Sequence, residues 1–300
     1  MIPFNIPPFL PECAETVRQA MDSRKICGDG AFTKCCNEEL EKITGAARVL
    51  LTTSGSSALD MAAILCNVGP GDEVILPSFT FVSTANAFVL RGAKAVFVDV
   101  DPETMNIDPE CVRAAVTPAT KVICVVHYAG VCCDMDAIRA IADEYRLLVV
   151  EDAAQAVTSL YKGRAAGSLS DIGCFSFHET KNFSMGEGGA VVLNDAALTE
   201  RAEIIREKGT DRSRFFRGLV DKYTWVDIGS SFLPSELNAA YLLPQLQRHG
   251  TITAARMARW NQYHAAFAPL EEKGLLRRMR VPEECTHNAH MYYILLKSLE

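Results

Sequence analysis

The sequence predicts an α/β protein built on a buried, mostly parallel sheet with helices on both faces. Short apolar runs rich in Val and Ile recur between residues 74 and 194. Segments of helical period separate them, and the alternation is that of βαβ units. A chain of 300 residues that is 49% apolar can bury such a sheet without disulfides or metal to hold it.

In order, VILPS at 74–78 reads as a strand, and 84–92 as a helix that Gly92 ends. A strand follows at 95–100, a short helix at 109–116 and a strand at 121–127. The helix at 136–145 places Ile138, Ile141 and Ala142 on one face, ahead of a strand at 147–152. Right-handed crossovers distribute these helices over both sheet faces. Strands at 174–177 and 190–194 flank a Gly-rich turn. Helices are predicted at 198–208, 234–248 and 256–271, and a strand-like run at 290–297. The stretch 209–225 is polar and aromatic without period, and connections of that length usually serve a function.

A net charge of -7 disfavours nucleic acid as the main partner, since phosphate neutralisation needs clustered Lys and Arg. No apolar stretch reaches membrane-spanning length, and residues 1–4 do not open a secretory leader, so the cytoplasm is the expected compartment. The 11 cysteines form no paired C-x-x-C knuckles, so no metal site is expected. Those in apolar runs, such as Cys66 and Cys124, read as small buried hydrophobes.

Three segments carry candidate chemistry. EDAAQ at 151–155 ends a strand, where open α/β sheets meet their ligands. Asp152 there is either a partly desolvated carboxylate or an ordinary cap or turn residue. FSFHETKN at 175–182 precedes the turn GEGG at 186–189. Lys181 in it either points into water or is an imine-forming amine held in a dry pocket. TSGSS at 53–57 opens a helix. Its serines either cap that helix or, with Gly55, leave backbone N–H groups free for a phosphate. No Gly-Lys-Ser/Thr follows, and no G-x-G-x-x-G marks a nicotinamide site.

The order of these segments, phosphate-type turn, strand-end carboxylate, then Ser-x-x-x-x-Lys, resembles fold-type I pyridoxal-phosphate transferases of the aspartate aminotransferase type. The stretches CGDG (27–30), PSFTFVSTANAFVLRGAKAVFVDV (77–100), VHYAG (126–130), EDAAQ, FSFHETKN, GEGG, REKGTDRSRFFRG (206–218), DKYTW (221–225) and NAHMYYI (288–294) are similar to the DegT/DnrJ/EryC1/StrS sugar aminotransferase family. The stretches at 206–218 and 221–225 are nearest to its dTDP-4-amino-4,6-dideoxygalactose transaminase branch, which serves enterobacterial common antigen synthesis.

The resemblance implies a large cofactor-binding domain at 1–240 and the start of a smaller α+β C-terminal domain at 241–300, whose remainder lies past this chain. It implies that Lys181 carries pyridoxal phosphate, with pyridoxamine phosphate as the intermediate form, and passes the proton in both half-reactions. Asp152 is implied at the pyridine nitrogen, Gln155 at the phenolic oxygen, Phe81 over one ring face, and Gly55, Ser56 and Ser176 on the phosphate. His178 is implied only as a neighbour of that set. Many relatives carry Asn-Gly-Thr where this chain has Ser54-Gly55-Ser56, and place an Asn from a second subunit on the phosphate where this chain has Ser231. The implied partners are L-glutamate, a dTDP-linked 4-keto-6-deoxy sugar and a second copy of the chain. Arg212, Arg214, Arg217 and Lys222 stand either as contacts to the sugar-nucleotide diphosphate or as a solvated basic loop.

An aminotransferase for a 3-keto sugar nucleotide would share every cofactor residue. A pyridoxamine-dependent dehydratase of the family would carry His in place of Lys181. A non-catalytic binding protein on this fold would take up no cofactor.

Overall fold

The computed structural model describes residues 5–297. Residues 1–4, on which the expectation of no leader rested, lie outside them. Two helices open the described chain, α1 (Pro11–Asp22) and α2 (Ala31–Thr44). The α/β unit follows as β1 (Arg48–Thr52), α3 (Gly55–Leu65), β2 (Glu73–Pro77), α4 (Val82–Val89), β3 (Lys94–Val98), α5 (Pro109–Ala115), β4 (Thr120–Val126), α6 (Met135–Tyr145) and β5 (Leu148–Asp152). A small hairpin, β6 (Leu160–Tyr161) and β7 (Arg164–Ala165), precedes β8 (Ile172–Ser176) and β9 (Gly189–Leu193). Then come α7 (Thr199–Arg206), α8 (Arg212–Phe216), α9 (Glu236–Gln247), α10 (His249–Glu272), β10 (Leu276–Arg278), β11 (Cys285–Thr286) and β12 (Ile294–Leu296).

The main sheet has the order β1-β9-β8-β5-β4-β2-β3. Only β9 runs against its neighbours, antiparallel to both β8 and β1, so the expected mostly parallel sheet is present. The period-2 alternation of each strand feeds two cores. Val49 and Leu51, Ile123 and Val125, and Val149 face a core closed by α2, α6 and α9. Leu50, Val122, Cys124 and Val150 face a second core closed by α3, α4 and α7. Cys66 and Cys124 are buried in that second core, and burial pushes the Cys66 thiol up to about 12.

Parallel strands bring their carboxyl ends to one edge. Thr52, Gly189 and Ser176 lie in one row across β1, β9 and β8, and Val126 pairs with Asp152. That edge collects the segments 53–56, 78–83, 127–130, 152–155 and 176–181, the place where open α/β sheets bind ligands.

Several predicted elements shift. The strand expected at 174–177 is Ile172–Ser176, and the helix expected at 84–92 is Val82–Val89. The helix at 198–208 ends at Arg206, and the one at 256–271 begins earlier, at His249. The stretch 209–225 is not wholly irregular, since α8 forms inside it. Of the run 290–297 only Ile294–Leu296 is strand, paired with β10. Helix α9 runs through the expected boundary at 240/241, and Leu242, Leu243 and Leu246 join the first core. We therefore propose the domain division after α9 rather than within it.

Helix α2 has no side-chain cap of its own, because Gly30 stands at its N-cap. Its free N–H groups are met from another element. The buried carboxylate of Glu236, in the first turn of α9, accepts from the backbone N–H of Gly30 (3.0 Å), Phe32 (2.9 Å) and Thr33 (3.1 Å), and from the Thr33 hydroxyl. A carboxylate at a helix N-terminus is favoured by both the donors and the dipole. Glu236→Ala strands those donors in a dry site, and we expect it to cost about 2 kcal/mol. A thermal melt of the cofactor-free protein should show a fall of roughly 3 °C, and an unchanged midpoint would remove Glu236 from this role.

Candidate active site

The edge formed by the strand ends encloses a cavity of about 430 Å³. One end is the start of α3. Ser54 is its N-cap and accepts from the Ser57 N–H at 2.9 Å, which fixes the turn. At Gly55 a Cβ would lie 2.8 Å from the Cβ of Ser176, so the close approach of α3 to β8 requires glycine. The Ser56 hydroxyl meets Ser83 of α4 at 2.6 Å. Gly55, Ser56 and Ser176 therefore line one wall together, with helix-end N–H groups and hydroxyls converging on it. This donor set, at the positive end of a helix, fits a phosphate monoester.

Deeper in lies Asp152, the last residue of β5. Its Oδ2 accepts from the Thr84 hydroxyl at 2.7 Å and its Oδ1 from the Ala154 N–H at 3.2 Å. Burial raises its pKa above the ordinary carboxylate value, against the pull of those two hydrogen bonds and of the Lys181 charge. Lys181 faces the same cavity from the turn after β8, where its N–H bonds to the His178 carbonyl at 2.9 Å. Burial pushes its amine below the ordinary lysine value, and Asp152 opposes that shift. Desolvation thus favours the neutral, nucleophilic amine.

Gln155 is held by its Oε1, which accepts from the Ala129 N–H at 2.6 Å. Its amide nitrogen is then the group left to donate into the cavity it lines. Phe81, at the N-cap of α4, lies over the mouth and is 74% exposed. His178 sits on the rim, bonded through Nδ1 to Thr180 at 2.9 Å and 3.6 Å from Glu187.

The other expected residues lie elsewhere. Ser231 is exposed and bridges to Glu207, outside the cavity, though the adjoining Phe232 carbonyl accepts from the Thr53 N–H at 2.8 Å. The loop cations do not point at Lys181. Arg212 pairs with Glu207 at 3.1 Å, Arg217 with Glu203 at 2.6 Å and Arg214 with Glu200 at 3.3 Å. Arg212 and Arg217 line a different cavity of about 510 Å³, with Lys25, Lys34, Arg48 and Arg206. Lys222 is exposed. Three of the four cations are thus paired with carboxylates, Glu200 and Glu203 of α7 and Glu207 immediately after it.

Sequence reasoning missed Thr84, Glu151, Asn182 and His290. Glu151, beside Asp152, is fully buried and accepts from the Gly167 N–H (2.7 Å), the Leu169 N–H (2.8 Å), the Ser170 hydroxyl (2.8 Å) and His127 Nε2 (2.8 Å). His127 Nδ1 accepts from the Cys133 N–H, so the ring carries its hydrogen on Nε2. A carboxylate so saturated has no capacity left for a ligand.

The chain is 34% identical over 278 residues to the protein named GDP-perosamine synthase of Caulobacter vibrioides, covering 93% of this chain and 72% of that one. It is 34% identical over 296 residues to the spore coat polysaccharide biosynthesis protein SpsC of Bacillus subtilis, covering 98% of this chain and 75% of that one. Spr1654 of Streptococcus pneumoniae, solved in forms with pyridoxal and pyridoxamine phosphate, superposes in its PLP-form with a TM-score of 0.90 at 25% identity, over 99% of this chain and 78% of that one. The model of the DegT/DnrJ/EryC1/StrS aminotransferase family matches residues 10–300, and the chain belongs to that pyridoxal-phosphate-dependent family.

Proposed function

We propose that this chain moves the amino group of L-glutamate to a nucleotide-linked 4-keto-6-deoxy sugar, with Lys181 as the residue that carries the cofactor and the proton. The observation that carries the reading is one cavity in which a desolvated amine, Lys181, faces a buried carboxylate, Asp152, while the α3 N-terminus supplies phosphate donors at the other end. Pyridoxal phosphate, when bound, supplies the electron sink and carries the amino group between the two substrates.

The residues divide the remaining work. The N–H groups of Gly55 and Ser56 and the Ser176 hydroxyl would hold the phosphate. Asp152, shielded from water and supported by Thr84, would keep the ring nitrogen protonated. The Gln155 amide would donate to the phenolic oxygen. Phe81 would cover one ring face, a contact worth about 0.5–1.5 kcal/mol. Lys181 would move the proton taken from the glutamate α-carbon, as base and then acid. The keto sugar is aminated by the same steps in reverse.

The relatives support a surface-sugar role: one is named for a GDP-linked amino sugar and the other for a polysaccharide. The branch-like stretches at 206–218 and 221–225 favour dTDP-4-dehydro-6-deoxy-D-glucose as acceptor and dTDP-4-amino-4,6-dideoxy-D-galactose as product, for a polymer such as enterobacterial common antigen. A second copy of the chain completes the site in this reading. The exposed apolar residues Phe81, Val82 and Trp225 give it a surface to cover, and Ser231 would reach the partner's phosphate from there.

Protein loaded with pyridoxal phosphate should absorb in the visible and bleach on addition of L-glutamate. Lys181→Ala should lose both the band and turnover in either direction, and sustained turnover by that variant would refute the assignment. Asp152→Asn should keep the phosphate contacts yet lower kcat at least about 100-fold, as for loss of one preorganised charge; wild-type kcat would place Asp152 outside the reaction. Cofactor loading should rise with pH through a midpoint below the ordinary lysine value of 10.5, because burial releases the amine's proton at lower pH. Stopped-flow loading rates across pH check this, and a midpoint at or above that value contradicts it.

A further inference from the structure

Behind Lys181 lies a second, smaller cavity that it shares with Asn182, Asn288 and His290. Residues 288–290 come from the connection between β11 and β12 and thread beneath the sheet edge. Asn288 donates through Nδ2 to the carbonyls of Gln155 (2.9 Å) and Val157 (2.8 Å), so this segment is tied to the peptide that carries Gln155. Gly130, at φ +83°, makes room for it, since a Cβ there would collide with Asn288 Oδ1. Arg256 of α10 clamps the other side, donating to the carbonyls of Ala289 (3.1 Å) and His290 (2.7 Å).

Donor logic then fixes the hydrogen on His290. Asn182 Nδ2 donates to the Asn288 carbonyl at 2.9 Å, which can only accept. Asn182 Oδ1 therefore faces His290 Nδ1, 3.0 Å away, and an amide oxygen there requires an N–H. His290 carries its hydrogen on Nδ1, and Nε2 keeps a lone pair. Among the described residues nothing bonds Nε2, and the ring borders the cavity that holds Lys181. Burial, with the charges of Lys181 and Arg256, pushes the imidazole down to about 3, so it stays neutral at working pH.

We propose that the Nε2 lone pair of His290 accepts a hydrogen bond from the Lys181 amine and so sets the direction in which that amine takes and returns its proton. His290 is a positioning residue in this account. The two side chains border one cavity without a hydrogen bond between them in the structure; the contact forms when the amine turns back toward Nε2, which engages one N–H and leaves the lone pair facing the main cavity. Because His290 stays neutral it does not compete for the proton. The inference rests on the reading of Lys181 given above.

Two substitutions separate this from a role as an anchor for Asn182. In His290→Asn the side-chain amide reaches the place of Nδ1 and can still donate to Asn182, but nothing replaces Nε2. In His290→Gln the amide reaches the place of Nε2. Single-turnover bleaching with L-glutamate should slow about 100-fold in His290→Asn with little change in glutamate KM, in the range usual for a misplaced proton-transfer group. His290→Gln should recover to within about tenfold of wild type. An anchoring role through the Asn182 contact predicts the reverse order, since His290→Asn keeps that contact and His290→Gln loses it; that order, or equal rates, would overturn the proposal. Independently of activity, ¹⁵N-histidine NMR of the cofactor-free wild-type protein should show His290 as the Nδ1–H tautomer with no titration near the ordinary histidine value. An Nε2–H ring would overturn the proposal even if neither variant folds. If instead wild type never forms the visible band, the Lys181 reading itself is at fault.

Discussion

Glu151 holds the site's geometry in place without taking part in its chemistry. Its two oxygens gather a strand-end histidine, two N–H groups of the 167–169 turn and a serine hydroxyl. This ties the end of β4 and the turn before β8 to the end of β5. Successive side chains on a strand point to opposite faces, so fixing Glu151 on one face sends Asp152 to the other, toward Thr84 and the cavity. A charge so buried costs several kcal/mol to desolvate and is tolerated because every acceptor site is filled. Two adjacent carboxylates thus have opposite fates: one saturated and inert, the other left with capacity for a ligand.

The open capacity at Asp152 and Lys181 is bought with stability. Burial opposes the charge on both groups, and each is partly rescued only by the other and by local hydrogen bonds. Strain of this kind concentrates at functional sites, where a cofactor that bridges the two groups would relieve it. Residues doing purely structural work, Glu236 and Glu151, are instead fully met by donors. That contrast separates Asp152 and Lys181 from Glu236 and Glu151.

Legibility from the sequence followed the same division. EDAAQ and FSFHETKN put chemistry-bearing residues at strand ends, and the structure brings Gly55, Ser56, Phe81, Asp152, Gln155, Ser176 and Lys181 round one cavity. The Val-rich strands were legible because, buried on both faces, they read as near-continuous apolar runs. Helices α1 and α2 and strand β1 were not, and α2 shows why. Its buried face is Thr33, Cys36, Asn37, Leu40 and Thr44, which hides the apolar period. Thr33 is buried against Glu236 of α9 and Asn37 against the backbone of β1, partners outside the helix. The loop arginines were legible only in part. Their positive charge is plain at 212–217, but their partners Glu203, on the preceding helix, and Glu207, just after it, belong to another segment.

The C-terminal segment shows how a site can depend on residues that never reach its mouth. β11 pairs with β6, Asn288 pins the carbonyls after the Asp152 loop, and the HETKN turn hangs from the Asn288 carbonyl through Asn182. Trp260 of α10 packs on His287 and Tyr292 and anchors the same segment by apolar burial. The main sheet supplies the floor and the phosphate end of the cavity, while this returning segment supplies the back wall. A reacting amine needs its lone pair aimed to within a narrow cone, and misplacement by about 1 Å is enough to lose 100-fold in rate. In this fold, that aim is therefore decided as much by residues 288–290 as by the turn that carries Lys181.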